Sequence, residues 1–388
     1  MRILHLCLSN FYIDGYSYQE NALVAQNVAD GHDVRVIAST EVFDEHRQLS
    51  YVLPSSYLGT DGAWVDRISY FPGIPHILAR KLRIHRGVYN RIKEFNPDVI
   101  LFHCACGAEI ATAARYVRDN PHVKLYVDSH EDSYNSANSF ISKWFLHYLY
   151  YRPILLRSMR YINRVLPVSV SCLEFMRDFY GVPEEKLEFY PLGGHVPDNI
   201  EYAEQRKEAR RALNVPANGI LIVQSGKFDK PKKLIESLRA FAQIPDERLQ
   251  FVLVGHLYQE VEGEALELIQ ADSRVRFVGW KTSDELQALL CGADVYCQPG
   301  TQSATMQMAV SCRCAIILDD VASHKPYHKN NGWLVRDDAD LKRALSDVSQ
   351  SEKVLEMGHN SHLLALQMLD YRILAKRLYR SSPLALSR

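Results

Sequence analysis

Short apolar runs alternate with segments of helical periodicity along almost the whole chain. In the first half, the apolar runs predict strands, and the segments with apolar residues every three or four positions predict helices. The predicted strands are Arg2–Leu8, Asp33–Ala38, Asp98–His103, Lys124–Val127 and Arg164–Val168. The predicted helices are Gln19–Ala29, Ala108–Arg118, a long stretch Phe140–Tyr161 broken near Pro153, and Ser171–Tyr180.

The same alternation is repeated in the second half. Strands are predicted at Ile220–Gln224, Leu249–Val254, Val275–Val278, Val295–Gln298, Ala315–Leu318 and Gly332–Val335, with helices that include Asp284–Cys291 and Ser303–Ser311. Buried apolar strands that alternate with amphipathic helices indicate parallel sheets covered on both faces. We therefore expect an α/β protein with two doubly wound, Rossmann-like domains that face a central cleft, in which ligands bind beyond the carboxyl ends of the strands.

Composition narrows the class of protein. A chain of 388 residues with 47% hydrophobic residues suits two domains, and a formal net charge of −1 does not suggest a nucleic-acid partner. The N-terminus does not predict a signal peptide, and no apolar run is long enough to span a membrane, so we expect a cytoplasmic protein. The eight cysteines are scattered, as expected for reduced core thiols, and their spacing predicts no metal site.

Two lysines supply the first candidate chemistry. Lys227 and Lys232 follow the strand Ile220–Gln224, which Ser225 and Gly226 are expected to end, and a helical segment begins just after them. Ammonium groups beside a glycine turn and a helix start form a suitable site for a multiply charged anion. The alternative is a solvated surface turn.

Motifs in a fixed order carry a family resemblance. They are 31–34 (GHDV), 168–171 (VSVS), 180–186 (YGVPEEK), Gly226-Lys227 with Lys232, 275–279 (VRFVG), 293–295 (ADV) and 330–335 (NNGWLV). With them the chain resembles the GT-B glycosyltransferases, and among these the family 4 enzymes, which are retaining and use nucleotide sugars. The resemblance implies an acceptor-binding domain over residues 1–195, a nucleotide-sugar-binding domain over 196–368, and a C-terminal helix over 369–388 that crosses back to the first domain.

The resemblance also implies which residues bind the donor. Lys227 and Lys232 would neutralise the pyrophosphate of a UDP- or GDP-linked sugar without a metal or another cofactor. The further donor-binding candidates are Gly15, Gly279, Trp280, Gly300, Thr301, Gln302, Ser303, Ala304, Thr305 and Gln307. Trp280 is a candidate for nucleobase contact, with core packing as the alternative, and Ser303 and Thr305 are expected either to bind phosphate or to cap a helix.

One departure from the family is marked. The family usually carries two glutamates eight positions apart around the helix after Pro299. In this chain the second position is Gln307, and no acidic residue lies in 299–305. An amide can donate and accept hydrogen bonds but carries no charge.

The N-terminal half contains the predicted acceptor site and catalytic residues. Asp128, Ser129, His130, Glu131 and Asp132 form a polar cluster at the carboxyl end of a strand. By resemblance, His130 would reach the donor sugar and stabilise leaving-group charge, and Glu131 or Asp132 would receive the acceptor proton. The resemblance also places Gly15 near the donor, although ordinary turn chemistry would equally explain this glycine. The predicted acceptor-binding residues are Tyr16, Tyr18 and His103, the last with a structural role as its alternative.

Two basic segments suggest a location for the acceptor. Residues 77–93 and 142–164 combine arginines and lysines with apolar or aromatic residues and contain no acidic residue. Such segments bind anionic membrane surfaces, where lipid-linked sugars are found. The alternative is that their apolar faces pack in the core.

We therefore expect a cytoplasmic, peripherally membrane-associated glycosyltransferase. It would move a sugar from a nucleotide donor to a glycan or lipid-linked glycan, with retention, in the biosynthesis of a surface polysaccharide such as capsule or lipopolysaccharide. Two alternatives remain at this point, an inactive GT-B binding subunit and a GT-B nucleotide-sugar epimerase.

Overall fold

The computed structural model describes residues 1–16, 18–44, 48–133, 135–301 and 303–379. The described part of the chain divides into two compact units, the first formed by residues 1–192 with residues 371–379, and the second by residues 193–370. The protein has the α/β architecture predicted from the alternating pattern, with one Rossmann-like sheet in each unit. None of the described helices is long and apolar enough to cross a bilayer.

The first unit is built on a seven-stranded sheet. Its order is β5-β6-β2-β1-β7-β8-β9, and every pairing is parallel except β5 with β6, while β3 and β4 form a separate hairpin. The strands are β1 Arg2–Cys7, β2 Asp33–Ser39, β3 Glu41–Phe43, β4 Leu49–Tyr51, β5 Ser55–Leu58, β6 Trp64–Ile68, β7 Val99–Phe102, β8 Lys124–Ser129 and β9 Arg164–Pro167. The α-helices are α1 Gln19–Ala29, α2 His76–Leu82, α3 Val88–Phe95, α4 Glu109–Asp119, α5 Arg152–Ser158 and α6 Val170–Glu174.

The helical stretch around Pro153 is continuous. A π-helix over Ser142–Tyr151 leads directly into α5, and a 3-10 turn over Met159–Tyr161 ends the stretch. Pro153 lies in the first turn of α5, and the π-helix before it continues into α5 without interruption, so the predicted break is wrong. A second π-helix, Phe175–Phe179, follows α6, and Glu184–Lys186 is a 3-10 turn.

The second unit has a six-stranded, wholly parallel sheet. Its order is β12-β11-β10-β13-β14-β15. The strands are β10 Ile220–Phe228, β11 Leu249–Leu257, β12 Val275–Phe277, β13 Val295–Gln298, β14 Ala315–Asp319 and β15 Gly332–Val335. The helices are α7 Asn199–Ala212, α8 Leu234–Phe241, α9 Gln259–Ala271, α10 Ser283–Gly292, α11 Ala304–Ser311, α12 Asp338–Asp347 and α13 Ser351–Met368, with 3-10 turns at Lys230–Lys232 and Lys325–Tyr327.

Helix α7 was not predicted from the sequence pattern. None of its residues is buried, so it shows no apolar stripe. It begins because the Asp198 carboxylate accepts hydrogen bonds from the backbone N–H groups of Ile200 and Glu201, which caps the helix start.

A last helix, α14 (Tyr371–Arg377), packs within the first unit. Leu374, Ala375 and Leu378 are buried in a cluster with residues of β1 and β7. The Tyr190 hydroxyl donates to the carbonyl of Leu374, at 2.7 Å, and the Arg377 guanidinium pairs with Glu188.

Strand β10 does not end at Ser225 and Gly226, as predicted, but runs on to Phe228. It continues because Gly226 pairs with Gly255 of β11, and both adopt φ angles near +146°, at +147° and +145°. A Cβ atom on Gly255 would lie 1.8 Å from the carbonyl oxygen of Gly226. The two facing glycines therefore let both strands continue past this point, β10 to Phe228 and β11 to Leu257.

We expect Gly255→Ala to lower the free energy of unfolding of the second unit by about 2–3 kcal/mol, because of the clash with Gly226 and the positive φ. Urea denaturation measures this change. Gly263→Ala is the matched control, since Gly263 lies inside α9 with nothing within 4 Å of its added Cβ, and it should stabilise the protein by about 0.5–1 kcal/mol. Equal stability of the two variants would contradict the account of β10.

Candidate active site

The strand order of the second unit defines where a ligand binds. From β10 the chain first builds outward through β11 and β12, and then returns to the other side of β10 with β13. Ligands of doubly wound sheets bind at the carboxyl ends of the two strands where the order reverses. In this unit the point of reversal lies between β10 and β13, which are followed by the turn of Lys230–Lys232 and by the loop that starts at Pro299.

These two segments are in direct contact. The Thr301 N–H donates to the carbonyl of Pro231, at 3.1 Å, and the Lys232 ammonium donates to the carbonyl of Thr301, at 2.8 Å. A Cβ atom on Gly300 would lie 2.1 Å from the Pro231 carbonyl oxygen, so only glycine permits this approach. The lysine turn and the 300–301 loop, both predicted to bind the donor, are thus brought together.

A neutral hydrogen-bond network supports the loop. The Gln298 amide donates to the carbonyl of Thr301, at 2.5 Å, and its oxygen accepts from the hydroxyls of Tyr296 and Ser303, at 3.0 and 2.8 Å. Ser303 stands at the start of α11 but its hydroxyl does not cap the helix, so the capping alternative is wrong. The loop is held without any carboxylate among these groups.

Glycines and a second cation extend the site along the sheet edge. Gly255 N–H donates to the carbonyl of Gly279, at 2.9 Å, so Gly226, Gly255 and Gly279 follow one another across β10, β11 and the end of β12. Lys227 is exposed and lies on β10 opposite the exposed His256 of β11. Backbone without side chains beside an exposed ammonium leaves room for a bulky anion.

In the first unit the order reverses between β1 and β7. The loop after β1 carries Gly15, with φ +77°, whose N–H donates to the Thr60 hydroxyl at 3.1 Å. Tyr16 and Tyr18 follow in ring contact with each other, and Tyr18 is 43% exposed. Gly107, in the loop after β7, packs so closely that a Cβ atom would lie 2.1 Å from the Ser9 hydroxyl. The two loops therefore meet at the carboxyl edge.

A chain of buried polar side chains crosses this edge from β1 to β8. The Asn27 amide lies 2.9 Å from His5 Nε2, His5 Nδ1 lies 3.0 Å from His103 Nε2, and His103 Nδ1 lies 2.6 Å from Asp128 Oδ2. Asp128 Oδ1 accepts from the Cys104 N–H, at 2.7 Å, and faces His130 Nε2 at 3.7 Å. Asn27, His5, His103 and Asp128 are all 0% exposed, whereas the His130 side chain keeps 29% exposure.

The pKa values of the histidines and the aspartate in this series are set by burial and by the charges of their neighbours. Burial and the neighbouring His103 lower the pKa of His5 well below its usual value, which leaves His5 neutral. Burial alone would raise the pKa of Asp128, but His103 and His130 hold it well below the ordinary carboxyl value. Burial alone would also lower the pKa of His130, but the Asp128 carboxylate outweighs it and raises the pKa to about 9.

Two family models match the chain, the one for Glycosyltransferase Family 4 over residues 21–193 and the one for Glycosyl transferases group 1 over residues 219–351. Among solved structures, HepE from Anabaena, determined in complex with UDP, is 15% identical and has a TM-score of 0.62, with 97% of this chain and 98% of that chain covered. A glycosyltransferase from Rickettsia africae is 14% identical with a TM-score of 0.66, over 97% and 96% of the two chains.

WaaG, a glycosyltransferase involved in lipopolysaccharide biosynthesis, is 15% identical with a TM-score of 0.58, over 98% of this chain and 100% of that chain. A comparison with curated proteins found no significant match. Glycosyltransferase models match both halves of the sequence, and the fold agrees over nearly the whole chain. The chain is a GT-B glycosyltransferase.

Several predicted residues of the glycosyltransferase have other roles in the structure. His103 is fully buried, so its assignment to direct acceptor contact is wrong, and it contacts Asp128 instead. Glu131 is 4% exposed and accepts hydrogen bonds from the Ser129 hydroxyl and the His130 N–H, which shapes the turn. Asp132 exchanges hydrogen bonds with Asn135 in the same turn. Of the predicted catalytic residues, His130 has the side chain best placed for chemistry.

The donor side of the glycosyltransferase also needs corrections. Gln307 is 5% exposed and donates to the Tyr327 hydroxyl, at 2.6 Å, so its predicted contact with the donor has no support here. Trp280 is 65% exposed, which rules out core packing and leaves its ring accessible. Thr305 is half-buried in the first turn of α11. Gln302 lies outside the described residues, as does the side chain of Ala304.

Sequence reasoning missed His5, Asn27 and Asp128 as members of the site. His5 and Asp128 each had a weak signal, because a histidine interrupts the apolar strand β1 and an aspartate lies near the end of the largely apolar strand β8, whereas no such signal marked Asn27 of α1. Glu20 was also missed, although it is buried at the start of α1, accepts from Asn10 at 2.7 Å and raises the pKa of His130.

The raised pKa of His130 predicts a pH-dependent stability. A histidine whose pKa is higher in the folded than in the unfolded state stabilises the fold fully below the unfolded value, near 6.5, and this stabilisation is lost as the pH rises through the folded value of about 9. We expect the wild-type enzyme to lose up to about 3 kcal/mol between pH 6.5 and 9.5. Urea denaturation of His130→Gln over the same range is the comparison, and an equal loss in that variant would contradict the assignment.

Proposed function

We propose that this glycosyltransferase transfers a sugar, with retention, from a UDP- or GDP-linked donor to a glycan or lipid-linked glycan. The observation that carries the proposal is the position of the turn Lys230–Lys232, which lies at the point of strand reversal of the second unit and contacts the glycine loop 300–301. HepE, which shares the fold, was solved in complex with UDP. Retention rests on the family 4 resemblance and on the matching family model.

The two lysines would act as the counter-charge of the diphosphate. Lys227 is exposed on β10, and Lys232 is half-buried, with its pKa lowered by burial. A departing diphosphate carries its charge on oxygens that need donors and positive charge in a partly desolvated site. The neighbouring groups Gln298, Tyr296 and Ser303 are neutral, and the Asp229 carboxylate is the charged neighbour that raises the pKa of Lys232 against the effect of burial.

Independence from metal ions is part of the proposal. Among the described residues, no three His, Cys, Asp or Glu side chains lie together as metal ligands would. We infer that cationic side chains take the role that a divalent ion has in other transferases. Trp280, exposed beside Gly279, is the proposed stacking surface for the nucleobase.

His130 is the proposed catalytic residue of the first unit. As an imidazolium it would donate to an oxygen of the transferred sugar or of the leaving phosphate and stabilise the negative charge that develops there. Tyr16 and Tyr18, in the loop after β1, are the proposed acceptor contacts, since aromatic rings pack against the apolar faces of sugars and Tyr18 is largely exposed.

A surface of the first unit supports a membrane-bound acceptor. Six large apolar side chains repeat at four-residue spacing along the π-helix and just before it, and all are exposed: Phe140, Ile141, Trp144, Phe145, Tyr148 and Leu149. The adjoining α2 exposes Ile77 and Leu78. The hydroxyls of Tyr150 and Tyr151 donate to the carbonyls of Leu82 and Lys81, which joins the two basic segments into one surface.

The charges around this apolar surface fit an anionic bilayer. Residues 140–164 contain Lys143, Arg152, Arg157, Arg160 and Arg164 and no acidic residue. Helix α3, by contrast, buries Val88, Ile92 and Phe95, so for that part of the first segment the core-packing alternative holds. We infer peripheral binding to the cytoplasmic face of a membrane, with a lipid-linked acceptor in surface polysaccharide biosynthesis, a class of pathway to which WaaG also belongs.

A panel of UDP- and GDP-sugars, offered with and without lipid-linked acceptors, tests the reaction, and we expect release of the nucleoside diphosphate without added metal.

Lys227→Ala and Lys232→Ala should each weaken UDP or GDP binding about 10-fold to 100-fold, because each removes a charged hydrogen-bond donor. Lys207→Ala, at an exposed position of α7, is the matched control. Unchanged nucleotide affinity in the double charge reversal at Lys227 and Lys232 would refute the donor site, and epimerisation without transfer would favour an epimerase.

Co-sedimentation with vesicles tests the membrane surface. We expect binding to vesicles rich in anionic lipid at low salt, release as the salt concentration rises, and loss of binding in the double variant Phe145→Glu and Leu149→Glu. Leu355→Glu is the control, because Leu355 is equally exposed, at 66%, on α13 of the second unit. No binding of the wild-type protein, or equal loss in the control, would end the membrane proposal.

A further inference from the structure

The hydrogen-bonded series Asn27, His5, His103 and Asp128, which leads to His130, is unusually polar for a buried core. His5 of β1, His103 just after β7 and Asp128 of β8 lie fully buried beside Asn27 of α1, where the neighbouring strand residues are apolar. Burying a carboxylate costs several kcal/mol unless donors surround it, and apolar residues of equal volume would pack the sheet at least as well. The chain therefore calls for a role beyond packing.

The hydrogen bonds determine the proton positions when they are followed from the interior outward. The Asn27 amide N–H donates to His5 Nε2, so His5 carries its proton on Nδ1. That proton is donated to His103 Nε2, and His103 in turn carries its own proton on Nδ1, which it donates to Asp128 Oδ2. In this order a proton of His103 faces the carboxylate, whereas the opposite order would turn a lone pair of a neutral His103 towards it.

The order of donors leaves one side of Asp128 for His130. Oδ2 is occupied by His103 at 2.6 Å, and Oδ1 accepts from the Cys104 N–H at 2.7 Å, so the carboxylate has a single orientation. Cys104 reaches it with a left-handed backbone, φ +69°, which is a strained conformation for a residue other than glycine. His130 Nε2, at 3.7 Å from Oδ1, is buried and has no hydrogen-bond partner among the described residues.

We propose that Asn27, His5, His103 and Asp128 are positioning residues that keep His130 protonated and hold its ring in one orientation towards the reacting oxygens. The part of this proposal that concerns the reaction rests on the function proposed above. The part that concerns the proton on His130 stands on the geometry of the first unit alone.

Around His130, two further carboxylates act in the same direction as Asp128, two thiols stay uncharged, and one cation lies nearby. Glu20 of α1 and Glu131 in the turn both raise the pKa of His130, as Asp128 does. The thiols of Cys7 and Cys104 lie near Asp128, and burial raises their pKa values well above the usual thiol range, so both stay uncharged. Arg83 is a cation close to Glu131 and Cys104, and its charge acts on both groups.

The first measurement needs no variant. In ¹⁵N-histidine NMR of the full-length protein, we expect His130 to be an imidazolium at pH 7.5 and to titrate near pH 9, while His5 is a neutral Nδ1–H tautomer. A neutral His130 at pH 7.5, or an Nε2–H tautomer for His5, would overturn the proposal.

Two variants then test the links of the chain. Asp128→Asn keeps the shape of the side chain and removes its charge, so the titration of His130 should move down by about two pH units. His103→Gln removes the ring that fixes Asp128 Oδ2 and should move the titration of His130 down by about half a pH unit or more. His85→Gln is the control, since His85 is a buried histidine of the same unit whose ring nitrogens have no hydrogen-bond partner among the described residues.

The alkaline limb of the kcat–pH profile, measured with the donor that the panel identifies, separates the protonation of His130 from its role in the reaction. If the limb moves with the titration of His130 in both variants while His85→Gln matches the wild type, the positioning role is supported. If the variants fold, as judged by circular dichroism, and the His130 titration stays in place, or if it moves and the limb does not, the role is overturned. An inactive wild-type protein with the expected titration shifts would instead refute the proposed function and leave the protonation of His130 established.

Discussion

The reversal of strand order in each sheet is the constraint on which the site depends. Where successive crossovers leave a strand on opposite sides, the loops after the two central strands diverge and leave room at the carboxyl edge. In the first unit these loops follow β1 and β7, and in the second they follow β10 and β13. Every residue given a role in the reaction lies at or beside one of these two edges, because parallel strands direct all their carboxyl ends the same way.

Charge is distributed differently at the two edges. The second unit offers cations, Lys227 and Lys232, over a neutral network of Gln298, Tyr296 and Ser303. The first unit pairs a buried carboxylate, Asp128, with the partly exposed His130. A diphosphate needs positive charge that remains after binding, whereas a sugar oxygen in a developing transition state needs a single well-oriented donor. The same fold supplies both by changing which residues end the strands.

Loss of the family's glutamate pair changes the chemistry available to the donor site without disturbing its framework. The position of the second glutamate is Gln307, which is buried and bonded to Tyr327. The loop before α11 is held by backbone and amide groups instead. In the proposed donor site this arrangement would leave less negative charge beside the diphosphate.

The sequence by itself determined the fold class, because the spacing of apolar residues differs between buried parallel strands and amphipathic helices, and both spacings can be read directly along the chain. It also located the lysine turn and His130, since charged residues directly after apolar strands stand out. Only the tertiary structure joined His5, His103 and Asp128, because these residues lie far apart in the chain and meet only when β1, β7 and β8 become neighbours. The same holds for Gly226 and Gly255, whose pairing across two strands turned an expected strand end into a continuous strand.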